Sequence, residues 1–197
     1  MFLFQLLIIF FILLSVPWKA AAGNFSWNIF PKGFSADYIE TVQEKSHEPK
    51  SRKGKIFYSK NKYRFNISAD GKDIDVIIRL DKDAHWFLLP QKNIYIEKIL
   101  NSDDAISQEV LFENWVGEKP ANVEIYNKQK INVYDHHTDN CKVRDYISPQ
   151  TDFPLKIDIT CKGLTEYHRV LEFRNIQDKE PDQSLFDIPD GYQKVSQ

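Results

Sequence analysis

KGKIFYSKNKYRFNISADGKDIDVIIRLDKDAHWFLLPQKNIYIEKI, running from Lys53 to Ile99, decides the fold. Ile56-Phe57-Tyr58 is followed by the polar turn Lys60-Asn61-Lys62. Tyr63, Phe65 and Ile67 then alternate with Arg64, Asn66 and Ser68 up to Asp70-Gly71. Successive side chains on a strand point to opposite faces, so this pattern reads as a hairpin with one apolar side. Ile74, Val76, Ile78 and Leu80 next share a face opposite Asp73, Asp75 and Arg79, and a turn follows at Asp81-Lys82-Asp83. Trp86-Phe87-Leu88-Leu89 runs to Pro90, ahead of Ile94, Tyr95 and Ile96. The stretch predicts five short antiparallel strands in a twisted meander with one strongly apolar face.

Outward from that meander, the chain has 197 residues, 42% hydrophobic and 14% aromatic, which suits one domain with a sizeable core. The formal net charge is −2, with 27% charged residues of both signs interspersed, so no basic footprint for nucleic acid is present. Phe2 to Val16 is apolar except for Gln5 and Ser15, and Ala20-Ala21-Ala22 precedes Gly23. This predicts a secretory signal over residues 1–22, cleaved after Ala22, and a single domain over 23–197. The run is shorter than the roughly 20 residues of a spanning helix, and an uncleaved anchor is the alternative. Loss of Lys19 with that segment takes the net charge from −2 to −3.

Phe34 to Gln43 reads as the first strand. After Ile99 the period changes: Asn101 to Asp104 offers capping oxygens, and Ile106, Val110, Leu111 and Trp115 lie near helical spacing up to Gly117. One amphipathic helix over the apolar face is expected there, with Pro181 to Phe186 as a second covering segment. Strands resume at Ala121 to Tyr126, Lys130 to His136, Cys141 to Ile147, Leu155 to Cys161 and Tyr167 to Ile176. The fold class is mainly β, with about ten or eleven strands and one or two helices.

Gly54-Lys55-Ile56-Phe57-Tyr58, Ile77-Ile78-Arg79-Leu80-Asp81, Ser148-Pro149-Gln150-Thr151-Asp152-Phe153-Pro154-Leu155-Lys156 and Leu185-Phe186-Asp187-Ile188-Pro189-Asp190-Gly191-Tyr192 stand in this order. Together they resemble the LolA/LolB superfamily, in its lipoprotein-sorting-like branch of bacterial periplasmic proteins. The resemblance implies a curved antiparallel half-barrel closed by helices, with a hydrophobic cavity for acyl chains. The carriers of that superfamily hold an arginine near the first hairpin turn that helps latch the lid; here Lys60-Asn61-Lys62 stands at that place. The implied function is an exported periplasmic protein that binds lipid or lipoprotein acyl chains, a monomer that meets envelope or outer-membrane proteins.

An antiparallel sheet with a wide apolar face must cover that face or use it. The candidate cavity walls are Tyr38, Phe57, Tyr63, Phe65, Ile78, Trp86, Leu88 and Tyr95, and alternation alone leaves open which parity points inward. Burying an acyl chain of some fourteen carbons would contribute on the order of 10 kcal/mol before cavity and ordering costs. A filled core that docks on an envelope protein through edge strands, or through Trp27 and Phe30, is the alternative reading. No G-x-S-x-G elbow, phosphate-cradling loop or H-E-x-x-H occurs, so neither an enzyme nor a cofactor is expected. His136-His137-Thr138-Asp139-Asn140-Cys141 carries metal-capable side chains but reads as a polar hairpin turn. Cys141 and Cys161 each lie ten residues from Thr151, the centre of a proposed turn, so in a simple hairpin they stand opposite one another. Their odd parity is shared by Val143, Ile147, Leu155, Ile157 and Ile159, which predicts a disulfide on the apolar face; two buried free thiols are the alternative. The same register sets Asp145 across from Ile157.

Overall fold

The computed structural model describes residues 33–45, 47–69, 71–99, 119–137, 140–162 and 166–195. The Lys53 to Ile99 stretch forms five strands: β2 (Lys50–Ser59), β3 (Lys62–Ala69), β4 (Lys72–Arg79), β5 (Ala84–Leu89) and β6 (Ile94–Ile99). β1 (Phe34–Glu44) precedes them. β7 (Asn122–Tyr126), β8 (Gln129–His137), β9 (Cys141–Ile147), β10 (Pro154–Cys161) and β11 (Tyr167–Gln177) form a second meander, and β12 (Gln193–Lys194) ends the set. All twelve belong to one open sheet in the order β12-β6-β5-β4-β3-β2-β1-β11-β10-β9-β8-β7. This curved open sheet is the mainly β architecture that the strand pattern of the sequence predicts. Two expectations need correction. The strands of the described residues number twelve, and β12 pairs with β6 in parallel; a two-residue strand carries no alternation that could reveal it. The helix expected over Asn101 to Trp115 lies outside the described residues, as do the apolar N-terminal run, Trp27 and Phe30.

The turns of the first meander put Lys60, Asp83 and Asn93 at positive φ. Aspartate and asparagine tolerate that region because their short polar side chains bond locally. Gly54 serves a different need: a Cβ there would sit 1.8 Å from the Asn66 carbonyl oxygen on β3 and 3.0 Å from the Tyr38 ring on β1. Its bare backbone lets β1, β2 and β3 pack beneath that ring. The sheet curls at its other end, where the Tyr126 hydroxyl on β7 donates to Glu172 on β11 at 2.5 Å across three intervening strands.

The strand registers separate two faces. On the wide apolar face, Phe34, Tyr58, Tyr63 and Ile78 stand opposite one another in turn across β1 to β4. A single buried cluster on this face reaches from Val76 and Ile78 on β4, through Tyr38, Ile56, Phe173, Leu171, Ile157 and Ile159, to Val143 and Cys141 on β9. The reverse face carries two smaller clusters. One holds Ile131, Val133 and Tyr146 with Tyr126 and Leu155. Parity alone sets Leu155 on the wide face with Ile157, but a register shift between Pro154 and Lys156 turns it over.

The second reverse cluster holds Ile77, Ala84, Trp86 and Leu88, with Tyr95, Ile188 and Tyr192 packed against it. The C-terminal segment covers it. Asp182 caps a single 3-10 turn, Gln183–Phe186, by accepting from the Ser184 amide at 2.9 Å. Arg64 donates to the Leu185 carbonyl at 3.0 Å, and Arg79 donates to the Phe186 carbonyl at 3.2 Å and to Asp187 at 2.6 Å. The expected covering segment Pro181 to Phe186 therefore lies on the reverse face, because the two arginines that hold its carbonyls alternate out of phase with the apolar row.

Cys141 and Cys161 are directly opposed on β9 and β10, with Cα atoms 4.1 Å apart, and form a disulfide. It closes a loop of 20 residues at the edge of the large cluster. Reduction, or replacement of both cysteines by alanine, is expected to lower the unfolding free energy by about 3 kcal/mol, read from urea denaturation.

Candidate functional site

The wide apolar face changes character along the sheet. At its centre, Phe153 sets its ring edge against Phe34 at 4.8 Å and against Phe173 at 5.8 Å, and all three rings are buried. From β3 onward, Tyr63, Phe65, Ile74, Leu80 and Phe87 join the same cluster while keeping part of their surface in solvent. An apolar patch continuous with the core is thus presented over β3 to β5.

The eight side chains named from the sequence divide between the faces. Tyr38, Tyr63, Phe65 and Ile78 lie together on the wide face. Trp86, Leu88 and Tyr95 lie on the reverse face in the cluster beneath the C-terminal segment. Phe57 shares that side, since it stands opposite Arg64 on β3 and not in the Tyr58 row. The eight therefore cannot line one cavity. Trp86 has a structural role there: its indole N–H donates to Glu97 at 3.0 Å. The alternation holds within each strand, but the set of eight pools two parities.

Alternation also brings ionisable groups onto the wide face, of which the sequence reading placed only Asp145. Glu40, 1% exposed, follows Tyr38 by two residues on β1. Arg52 on β2 donates its Nε–H to one oxygen of Glu40, and Arg169 on β11 donates to the other at 2.5 Å. Burial alone would raise the Glu40 pKa, but the charges and hydrogen bonds of Arg169 and Arg52 bring it down to about 2. Asp145, also 1% exposed, stands opposite Ile157 as the hairpin register requires, and His136 Nε2 lies 3.3 Å from its carboxylate on the neighbouring strand. The cross-strand imidazole accounts for a carboxylate at this apolar position.

His85 is the third such group, 4% exposed on β5 between Ile78 and Lys98 in the cross-strand row. Its ring lies 4.4 Å from that of Phe87, and Nε2 has no hydrogen-bond partner. Burial, aided by the charge of Lys98, pushes its pKa down to about 4, so the imidazole is neutral at pH 7. Each of these groups shares the parity of its apolar neighbours, and that is the signal available in the sequence: a charged or imidazole side chain inside an apolar row. The metal-capable run is also placed: His136 faces Asp145, and Cys141 is in the disulfide. Among the described residues, no group of three or more metal-capable side chains converges.

No protein-family model and no curated protein matches the chain. Among solved structures, it is similar to a conserved protein of Thermus thermophilus described as uncharacterized, with a TM-score of 0.58 and 11% identity over 86% of this chain and 93% of that one. It is also similar to a LolA superfamily protein from Nitrosomonas europaea, with a TM-score of 0.46 and 10% identity over 80% of this chain and 90% of that one. A Pseudomonas aeruginosa MucA/MucB complex structure matches with a TM-score of 0.45 and 10% identity, over 85% of this chain and 61% of that one. At these identities the likeness concerns the fold alone.

Two outcomes follow for the faces. Glu40→Gln strands two guanidinium groups in a largely buried setting and is expected to cost about 3–5 kcal/mol at pH 7. Because the folded-state pKa is depressed, the wild-type advantage is complete above the ordinary carboxylate range and disappears as pH falls through about 2. Urea midpoints of wild type and variant across pH check this, and their difference should shrink on acidification. Leu88→Arg should unfold the domain, since Leu88 is 0% exposed beneath the C-terminal segment and an unpaired charge there has no compensation; loss of the cooperative thermal transition is the readout.

Proposed function

We propose that this chain is an exported binding protein, not an enzyme, and that it holds the acyl chain of a lipid or lipoprotein against the wide apolar face over β3 to β5. The observation that carries the reading is that Tyr63, Phe65, Ile74, Leu80 and Phe87 are continuous with the buried cluster yet remain partly exposed. A contiguous apolar patch of this kind marks a binding surface. Each methylene of a ligand removed from water there contributes about 0.8 kcal/mol. The Cys141–Cys161 disulfide supports an oxidising compartment such as the periplasm, where the Phe2 to Ala22 segment would direct the chain. The sequence resemblance to lipoprotein-sorting proteins points to the same class of cargo.

A second reading is favoured by a separate feature. Among the described residues β7 is an edge strand, and its Val123 is 55% and its Ile125 69% exposed, so this edge carries apolar side chains that an envelope protein could pair with.

Native mass spectrometry of protein purified without detergent should show co-purifying lipid. After delipidation, a lysolipid should bind saturably. Phe65→Arg, on the wide face, should abolish that binding with the thermal transition retained, whereas Phe57→Arg, on the reverse face, should leave it unchanged. Absence of saturable binding by folded, delipidated protein would favour the edge-strand reading.

A further inference from the structure

The two ends of the described sheet are finished differently. At one end β12 is two residues long, and its Lys194 pairs with Glu97. At the other, β7 runs for five residues in unshifted register with β8, and it holds no lysine, proline or bulge. Those are among the devices that keep an edge strand from pairing with another chain. Asn127 and Lys128, both at positive φ, close the β7–β8 hairpin as a two-residue type I′ turn. Tyr126 and Gln129 are then a hydrogen-bonded pair, as are Glu124 and Ile131 one alternation on, while Val123 and Ile125 turn their N–H and C=O away from β8. The Val123 amide agrees with this phase, since it donates to the side chain of Asn122 at 2.8 Å and not to β8. Among the described residues, the same two positions are the exposed large apolar side chains. Between them Glu124 points to the reverse side, with Arg144 Nη1 at 3.8 Å and Asn122 Nδ2 at 3.5 Å. Both contacts are long, and Arg144 is itself held by two hydrogen bonds to Asp135, at 2.8 and 3.1 Å.

We propose that β7 receives one antiparallel strand from a polypeptide partner that carries Lys or Arg between two apolar residues. The inference rests on the edge-strand reading above, is independent of acyl binding, and deepens that reading by naming the chemistry of the partner. In this register the partner's two apolar residues exchange backbone hydrogen bonds with Val123 and Ile125 and lie beside their side chains. Its cation stands opposite Glu124 in a non-hydrogen-bonded pair, where Cα atoms approach to about 4.5 Å and side chains are closest. Backbone bonds and apolar contact supply the affinity, and the charge pair supplies the choice of partner. A second copy of this chain fits poorly. Symmetric antiparallel pairing of β7 with itself sets Val123 against Ile125 but Glu124 against Glu124, and like charges directly opposite are unfavourable. The one charge on the strand therefore selects against self-pairing and for a basic partner.

The test follows the anisotropy of fluorescently labelled nonapeptides titrated with the full chain at pH 7. The first is Ser-Thr-Thr-Val-Arg-Val-Thr-Thr-Ser, and two others replace its central Arg by Gln or Glu. The Arg peptide is expected to bind saturably and about tenfold more tightly than the Glu peptide, with Gln between them. Glu124→Lys should reverse that order, and Ile125→Asn should weaken all three peptides; both sites are solvent-accessible, and an unchanged thermal transition checks the fold. N-methylation of the two valines of the Arg peptide should abolish binding, whereas N-methylation of its central Arg, whose N–H points away from β7, should leave it unchanged. Equal affinities for the three peptides would overturn the basic partner while leaving the edge reading in force. Undiminished binding of the valine-methylated peptide would overturn strand addition. A concentration-dependent dimer in sedimentation, lost in Ile125→Asn, would overturn the choice of occupant in favour of a second copy. Saturable binding of none of the peptides would remove the edge-strand reading and this proposal with it.

Discussion

One strand holds the sheet together. In the hydrogen-bonded order of the described strands the two meanders meet at β1, which pairs with β2 on one side and with β11 on the other. The Glu40 clamp sits on that seam, with the carboxylate on β1, one guanidinium on β2 and the other on β11. A buried ion pair is weak evidence of stability in itself, because desolvation offsets much of the attraction. Its geometry here is specific: a carboxylate with one oxygen for each neighbour fits only when all three strands are in register. A one-residue slip of β1 would turn Glu40 to the other face and leave both arginines without its carboxylate. The clamp thus favours the register on which the Phe34, Tyr38 and Phe173 packing also depends.

From that register follow two faces with different fates. The reverse face of the first meander is closed by the chain's own C-terminal segment, which brings Ile188 and Tyr192 onto Ile77, Trp86 and Leu88. Arg64 and Arg79 make this possible. They project among apolar residues but each reaches a carbonyl of the covering turn, so the backbone groups of an irregular segment are matched where they meet the sheet. The wide face has a filled centre, where Phe153 interlocks with Phe34 and Phe173, and a partly exposed flank over β3 to β5. A face filled along its whole length would have no room for a ligand, and one without a filled centre would lack a core to support it. The proposed binding role rests on this division.

The disulfide contributes at the far side of the same cluster. It joins adjacent strands that are already paired, so its effect lies in limiting the unfolded chain and in pinning the β9–β10 hairpin beside the Asp145–His136 pair.

Much of this is legible in the residues because strand alternation is local. The five strands of the meander, the β8–β11 series, the opposition of Cys141 to Cys161 and the placement of Asp145 across from Ile157 all follow from a period of two counted from recognisable turns. Counting fails where the backbone departs from that period, as at the shift that turns Leu155 over, and where an element is too short to show a period, as in β12. Parity within a strand says which side chains share a side; it says nothing about which side another segment will cover. Trp86 and Leu88 therefore fall in with Tyr63 and Phe65 on the sequence pattern, although the C-terminal segment lands on the former and not on the latter. The joining of β1 to β11, and with it the meeting of Glu40 with an arginine 129 residues away, is likewise decided only by the tertiary structure. Such contacts depend on chain ends meeting across the whole sheet, and no local periodicity records that.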